Sequence, residues 1–148
     1  MGDLGGEASI EIDAPLDEVW PVVEDVASAP EWQEGLERIE VLETDGEGRT
    51  IVANSTSDAK VRHVTTKVRF SYDEPHTVRW EQEKGDLKSL VGSWELEDLG
   101  GRTKATYKLK GDPGRMLGML IRGPVEDKLR DVLVGGRPQE LASRMARG

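Results

Sequence analysis

His63 and His76 are the only imidazoles in the 148 residues, and neither has a cysteine, a second histidine or an acid at ligand spacing. Metal ligation needs several such groups converging on one point, so no metal centre is expected, and nothing in the chain asks for another cofactor. The chain has no cysteine and no Gly-x-Ser-x-Gly, which disfavours thiolate and serine-triad nucleophiles. Gly118 to Gly123 has the outer glycines of a phosphate loop, but Pro124 stands where that loop requires lysine. Asn54, Ser55 and Thr56 spell a glycosylation sequon that is inert in a cytoplasmic protein. Acidic pairs such as Glu37/Glu40 and Glu95/Glu97 read most simply as solvated strand faces rather than acid–base partners. What remains is aromatic and soft. Trp20, Trp32, Trp80 and Trp94 either fill a core or line a ligand box, and Met116 and Met119 either cover a pocket or pack a helix.

Such side chains act only if an architecture holds them around a common space. The stretch from Pro113 to Met145 sets that architecture. Leu117, Leu120, Ile121, Val125, Leu129, Val132 and Leu133 recur at three- and four-residue steps and make one apolar stripe in helical form. Gly123 and Pro124 divide a short first piece (residues 115–122) from a main helix running from Pro124 toward Arg147, with Glu126 and Asp127 in its first turn. Gly135, Gly136 and Pro138 predict a kink or break before Leu141 and Met145 resume the buried face.

A helix this long needs a broad surface to lie on, and the preceding chain reads as antiparallel sheet. Ala8, Ile10 and Ile12 alternate with polar residues as in a half-buried strand. Pro15 opens a short helix that buries Leu16, Val19, Trp20 and Val23, with Pro21 marking it as short or strained. Ser28 and Glu31 have capping-box spacing, which predicts a second helical turn after Asp25. Strands are then expected over about residues 36–44, 49–57, 60–72, 76–84, 87–98 and 102–110, separated by Gly-, Asp- and Pro-rich turns that favour hairpins. Their phases put Val64, Val68, Phe70 and Tyr72, then Val78, Trp80 and Gln82, then Leu90 and Trp94 on one face, joined by Ala105, Tyr107 and Leu109.

Composition narrows the functions further. A chain of 148 residues predicts one domain, placed at residues 8–148, with residues 1–7 disordered. The net charge of −9 disfavours nucleic acid as a partner, and the richest basic cluster, Lys60, Arg62, His63, Lys67 and Arg69, reads as one strand's solvent face. No apolar run approaches the roughly 20 residues of a membrane span, and the acidic, glycine-rich start is unlike a signal peptide. A cytoplasmic monomer or weak dimer is the expectation.

The order strand, two short helices, six-strand meander and long terminal helix resembles the helix-grip fold of the START-like superfamily, known also as SRPBCC. That superfamily includes Bet v 1-type proteins, polyketide cyclases/dehydrases and coenzyme Q-binding proteins. Ile12, Ala14, Pro15, Val19 and Trp20 look like its opening motif. Asp25, Pro30 and Trp32 resemble a second, and Gly85, Gly92 and Trp94 a hairpin motif of the bacterial cyclase/dehydrase branch. The resemblance covers about Ala8 to Leu141; relatives usually continue an uninterrupted helix where this chain has Gly135 to Pro138.

The resemblance implies an α+β fold: a curved seven-stranded antiparallel sheet gripping the terminal helix, with a cavity between them for a hydrophobic small molecule. The candidate lining is Val64, Phe70, Val78, Trp80, Trp94 and Tyr107 from the sheet and Met116, Leu120, Leu129 and Leu133 from the helical end. Asn54, Thr66, Gln82 and Tyr107 are the candidate polar contacts by strand phase. The leading expectation is binding or transport of a lipid, quinone or polyketide. The alternative is an aromatase/cyclase-dehydrase acting on a poly-ketone chain, with Tyr107 as proton donor or carbonyl orienter and Gln82 assisting. A third class, the family's ribosome-associated members, is disfavoured by the acidity.

Overall fold

Turn residues divide the chain into seven strands, and a computed structural model describing residues 4–60 and 62–147 shows them as one sheet. They are β1 (Leu4–Ile12), β2 (Leu36–Thr44), β3 (Thr50–Asp58), β4 (His63–Asp73), β5 (Thr77–Gly85), β6 (Ser89–Asp98) and β7 (Thr103–Asp112). The spatial order is β1-β7-β6-β5-β4-β3-β2, antiparallel at every step. Short turns force each of β2 to β7 to lie beside its predecessor, and the first strand completes the sheet against the last. Register slips between β2 and β3 and again at Lys67/Val68 insert bulges, which bend strands and help the sheet curl.

Leu4 to Glu7, expected to be disordered, belong to β1 and pair with Lys108 to Gly111. Two consecutive glycines hid the strand by composition. At Gly5 the glycine is required, because a Cβ there would run into the Leu109 backbone. Met1 to Asp3 lie outside the described residues.

Between β1 and β2 the chain forms α1 (Leu16–Glu24), with Val19, Trp20 and Val23 buried and Pro21 inside it, and a 3-10 turn (Val26–Glu31). The capping box is not made. Ser28 Oγ instead donates to Asp25 Oδ2 at 2.7 Å.

After β7 come α2 (Gly114–Leu120), α3 (Pro124–Arg130), a π turn (Asp131–Gly135) and α4 (Arg137–Ala146). The break expected at Gly135 and Gly136 is a π turn: Gly136 N–H donates to the Asp131 carbonyl at 2.8 Å, five residues back, and Gly136 keeps helical dihedrals. One extra residue is thereby absorbed without ending the helix. The apolar stripe from Leu129 would next reach position 136; with the insertion it reaches Arg137, Pro138 and Leu141, all buried. The terminal helical segments pack against β1 and β7.

The core has two parts. A main cluster joins α1, α4 and the inner face of the sheet, from Val19, Trp20 and Val23 to Phe70, Val78, Trp94, Tyr107 and Leu141. A smaller cluster of Ala59, Val64, Leu117, Ile121 and Leu129 lies under α2 and α3.

Candidate functional site

Where the sheet curls away from the helices the two clusters do not merge, and a cavity of about 160 Å³ lies between them. Its sheet wall is set by strand phase. Even-numbered Val64, Thr66 and Phe70 on β4, Val78 and Trp80 on β5, and Leu90 and Trp94 on β6 face inward, with odd-numbered Tyr107 and Leu109 on β7. Register explains the change of parity, since Trp94 stands opposite Tyr107. The wall is continued by Val26, Ala29 and Trp32 on one side, Leu117 and Ile121 on another, and Leu133 and Arg137 from the terminal helix.

Aromatic rings stack along this wall. Trp94 meets Tyr107 edge-on at 4.8 Å between centroids and Trp32 at 6.1 Å, while Trp80 lies 5.6 Å from Tyr107 and 6.2 Å from Phe70. Gly92 makes this possible. It pairs with Trp80 across β5 and β6, and a Cβ at that position would fall inside the Trp80 indole. Gly92→Ala should therefore push the indole toward the cavity, costing about 1–3 kcal/mol as overpacking does. Chemical denaturation measures that cost. A shift of the Trp80 indole N–H resonance with weakened uptake of an aromatic probe reports the blocked space, and an unmoved resonance contradicts the account.

The predicted residues divide clearly. Val64, Thr66, Phe70, Val78, Trp80, Trp94, Tyr107 and Leu133 stand in the cavity wall. Leu129 is fully buried but belongs to the smaller cluster beneath the wall. Met116 and Leu120 do not line it: they are 82% and 58% exposed, because α2 turns Leu117 inward and Ile121 follows it. Asn54, expected as a polar contact, does not line the cavity either. It pairs with Lys67 on the outer face and donates to Glu40 Oε1 at 3.0 Å. The inward residues of β3 are its neighbours Ser55 and Ser57, which stand opposite Thr66 and Val64.

Gln82 donates to the Leu87 carbonyl at 3.0 Å, and its Oε1 is buried with no partner among the described residues. Its strand position is four residues from Val78, the residue in line with Trp94 and Tyr107, so about 13 Å of strand separates it from that row. The structure does not bring Gln82 and Tyr107 together.

Arg137 takes the place beside Tyr107. It is 3% exposed, and its Nη1 donates to the Glu34 carbonyl at 2.6 Å and to Glu140 Oε1 at 2.9 Å. Glu140 Oε2 in turn accepts the Glu34 N–H at 2.8 Å. Among the described residues the Arg137 Nε–H has no partner, an arrangement that costs roughly 1–3 kcal/mol when a buried donor is left unmet. Burial raises the Tyr107 phenol above its ordinary range, and the adjacent Arg137 guanidinium opposes that rise. Tyr107 therefore remains a protonated donor at neutral pH. Among the described residues no group of His, Cys, Asp and Glu is placed to hold a metal ion, and no helix is long and apolar enough to cross a membrane.

The fold is widely shared. A START superfamily protein from Mycobacterium smegmatis superposes with a TM-score of 0.81 at 16% identity, covering 99% of both chains. The Zhui aromatase/cyclase from Streptomyces sp. R1128 gives 0.70 at 22% identity over 97% of this chain and 93% of that one. A major latex-like protein from Panax ginseng gives 0.65 at 14%, over 96% and 98%. At these identities the likeness is one of fold. No curated protein matches in sequence. The family described as "Polyketide cyclase / dehydrase and lipid transport" matches residues 12–134, from the last residue of β1 to the π turn and thus most of the chain. By that match, and with the helix-grip architecture around its cavity, the chain belongs to the polyketide cyclase/dehydrase and lipid transport family of START-like proteins.

Proposed function

We propose that this protein binds and carries a hydrophobic small molecule, a lipid, quinone or polyketide, in the cavity between sheet and terminal helix. The observation that supports this reading is an apolar hollow walled by Trp32, Trp80, Trp94, Tyr107 and Phe70 inside an otherwise packed core. Its volume of about 160 Å³ is close to the roughly 150 Å³ that holds benzene in an engineered apolar cavity, and below the roughly 300–1,000 Å³ of sites that enclose drug-sized ligands. The enclosed part of the ligand is then about one ring in size, with any longer chain extending out of the cavity. The cysteine-free composition fits work in the cytoplasm.

Native mass spectrometry of protein incubated with cell extract tests this. The expected result is a bound, unmodified hydrophobic molecule that is released under denaturing conditions and lost in Gly92→Ala. Failure to bind any extract component or aromatic probe overturns it.

A second reading is an aromatase/cyclase, favoured by one observation: the Tyr107 hydroxyl stands beside a guanidinium at the cavity wall, a pair suited to orienting and polarising a ketone. It expects turnover of a poly-β-ketone that Tyr107→Phe abolishes while binding persists. Unchanged turnover in that variant removes Tyr107 from the chemistry.

A further inference from the structure

Among the described residues the three most exposed large apolar side chains stand together on α2: Met116, Met119 and Leu120, of which Met116 is 82% exposed. The helix has 7 residues, about two turns, and carries apolar groups on more than one side. Leu117 and Ile121 take the inward side and line the cavity, so the others have no core left to enter. Single apolar residues on a surface need no explanation, but three together on the outside of a cavity wall do. Their surroundings carry charge of one sign. Arg115 and Arg122 border them, and Lys88 lines the same shallow depression as both arginines and Met119, with Asp112 as its carboxylate. Lys88 stands 3.9 Å from Asp112, while Arg115 and Arg122 have no carboxylate partner among the described residues. In a chain of net charge −9 this is a local reversal of sign.

We propose that α2 docks the protein on an anionic lipid surface: Met116, Met119 and Leu120 enter the boundary between headgroups and acyl chains, and Arg115, Arg122 and Lys88 meet the phosphates. The proposal goes beyond the ligand-binding reading and does not depend on what the cavity holds. Apolar side chains flanked by basic ones suit that boundary, because the apolar groups leave water while guanidinium and ammonium groups stay at headgroup depth. The remaining surface is acidic and repelled, but at physiological ionic strength charges beyond about 8 Å are largely screened, so the nearest groups decide. Projection of the methionines favours lipid over protein. A partner protein would have to supply an apolar socket for three flexible side chains, whereas acyl chains conform to them.

Vesicles of phosphatidylcholine, with and without phosphatidylserine, test this on the full chain. Binding is expected to be about tenfold or more tighter with phosphatidylserine, and to weaken as salt is raised. The chain has no cysteine, so Met116→Cys gives a unique site for an environment-sensitive fluorophore, with Lys104→Cys on the outer face of β7 as reference. Emission from the first label should shift to the blue on the vesicles and that from the second should not. Arg115→Gln/Arg122→Gln should reduce the preference for phosphatidylserine below about threefold. Met116→Ser/Met119→Ser should weaken vesicle binding about tenfold. All four side chains are exposed, so both variants should fold. No binding to either vesicle type, a preference kept without the two arginines, or equal responses of the two labels overturns the proposal. Capture of soluble poly-glutamate by this patch in place of vesicles also overturns it and makes an acidic protein the occupant. Uptake of an aromatic probe, measured in the same samples, decides the ligand-binding reading separately, since none of the substituted residues lines the cavity.

Discussion

Truncating Trp94 to alanine should lower the free energy of unfolding by about 3–5 kcal/mol, the range for deleting a buried large aromatic, and Tm by roughly 10 °C for a chain of this size. The indole is 3% exposed and is held between Trp32 and Tyr107. Its wall is a stiff sheet on one side and α1 on the other, so the space it leaves should stay open and join the existing cavity. Two measurements check this. Urea denaturation should give the loss of stability, and added indole should restore part of it by filling the hole, through the mass-action gain of a ligand that binds only the folded state. A loss under about 1 kcal/mol with no rescue would mean that the wall collapses and does not define a fixed space.

Arg137→Ala should cost about 3 kcal/mol or more. The change removes the donor for the Glu34 carbonyl and leaves Glu140, four-fifths buried, without its cation. Breaking a buried pair from one side typically costs about 3–5 kcal/mol; the partial exposure of Glu140 places this case near the lower figure. Arg137→Met/Glu140→Gln should cost clearly less, because no uncompensated charge remains. Denaturation curves of the two variants decide it. If the single and double variants are equally destabilised, the loss comes from packing of the arginine stem and not from the stranded carboxylate.

Much of the fold could be read from the chain because its signals are local. Gly and Asp clusters locate the hairpins, and alternation in β4 and β6 is strong enough to assign Phe70 and Trp94 to the inner face. The failures occur where that signal vanishes. In β3 both faces carry small polar residues, Asn54, Ser55, Thr56 and Ser57, so phase cannot be read within the strand; only its pairing, Ser55 opposite Thr66, reveals it. In α2 the apolar positions lie on more than one side of a short helix: Leu117 is buried and Ile121 leaves the helix, so Met116 and Leu120 point to solvent, whereas the division at Gly123 and Pro124 is as the sequence predicts. Arg137 is not legible in the sequence, because a helix phase counted at 3.6 residues per turn has no place for an inserted residue. The signal for it is Gly135 and Gly136 within an otherwise helical pattern, which predicts a kink or break and not an inserted residue.

Pairing of the first strand with the last also sets a timetable. Leu4 faces Gly111 and Ile12 faces Thr103, so on the ribosome β1 is made roughly a hundred residues before its partner, an interval of about 5–20 s at ordinary elongation rates. Through that interval the hairpins from β2 to β6 can close one after another, while the leading segment has nothing to zip onto. A solitary strand is a hazard to neighbouring nascent chains unless it is poor bait, and Gly5, Gly6, Glu7 and Glu11 make it so by weak intrinsic strand preference and repulsive charge. Sheet closure is thus a late, long-range event, and it should govern the folding rate of the molecule.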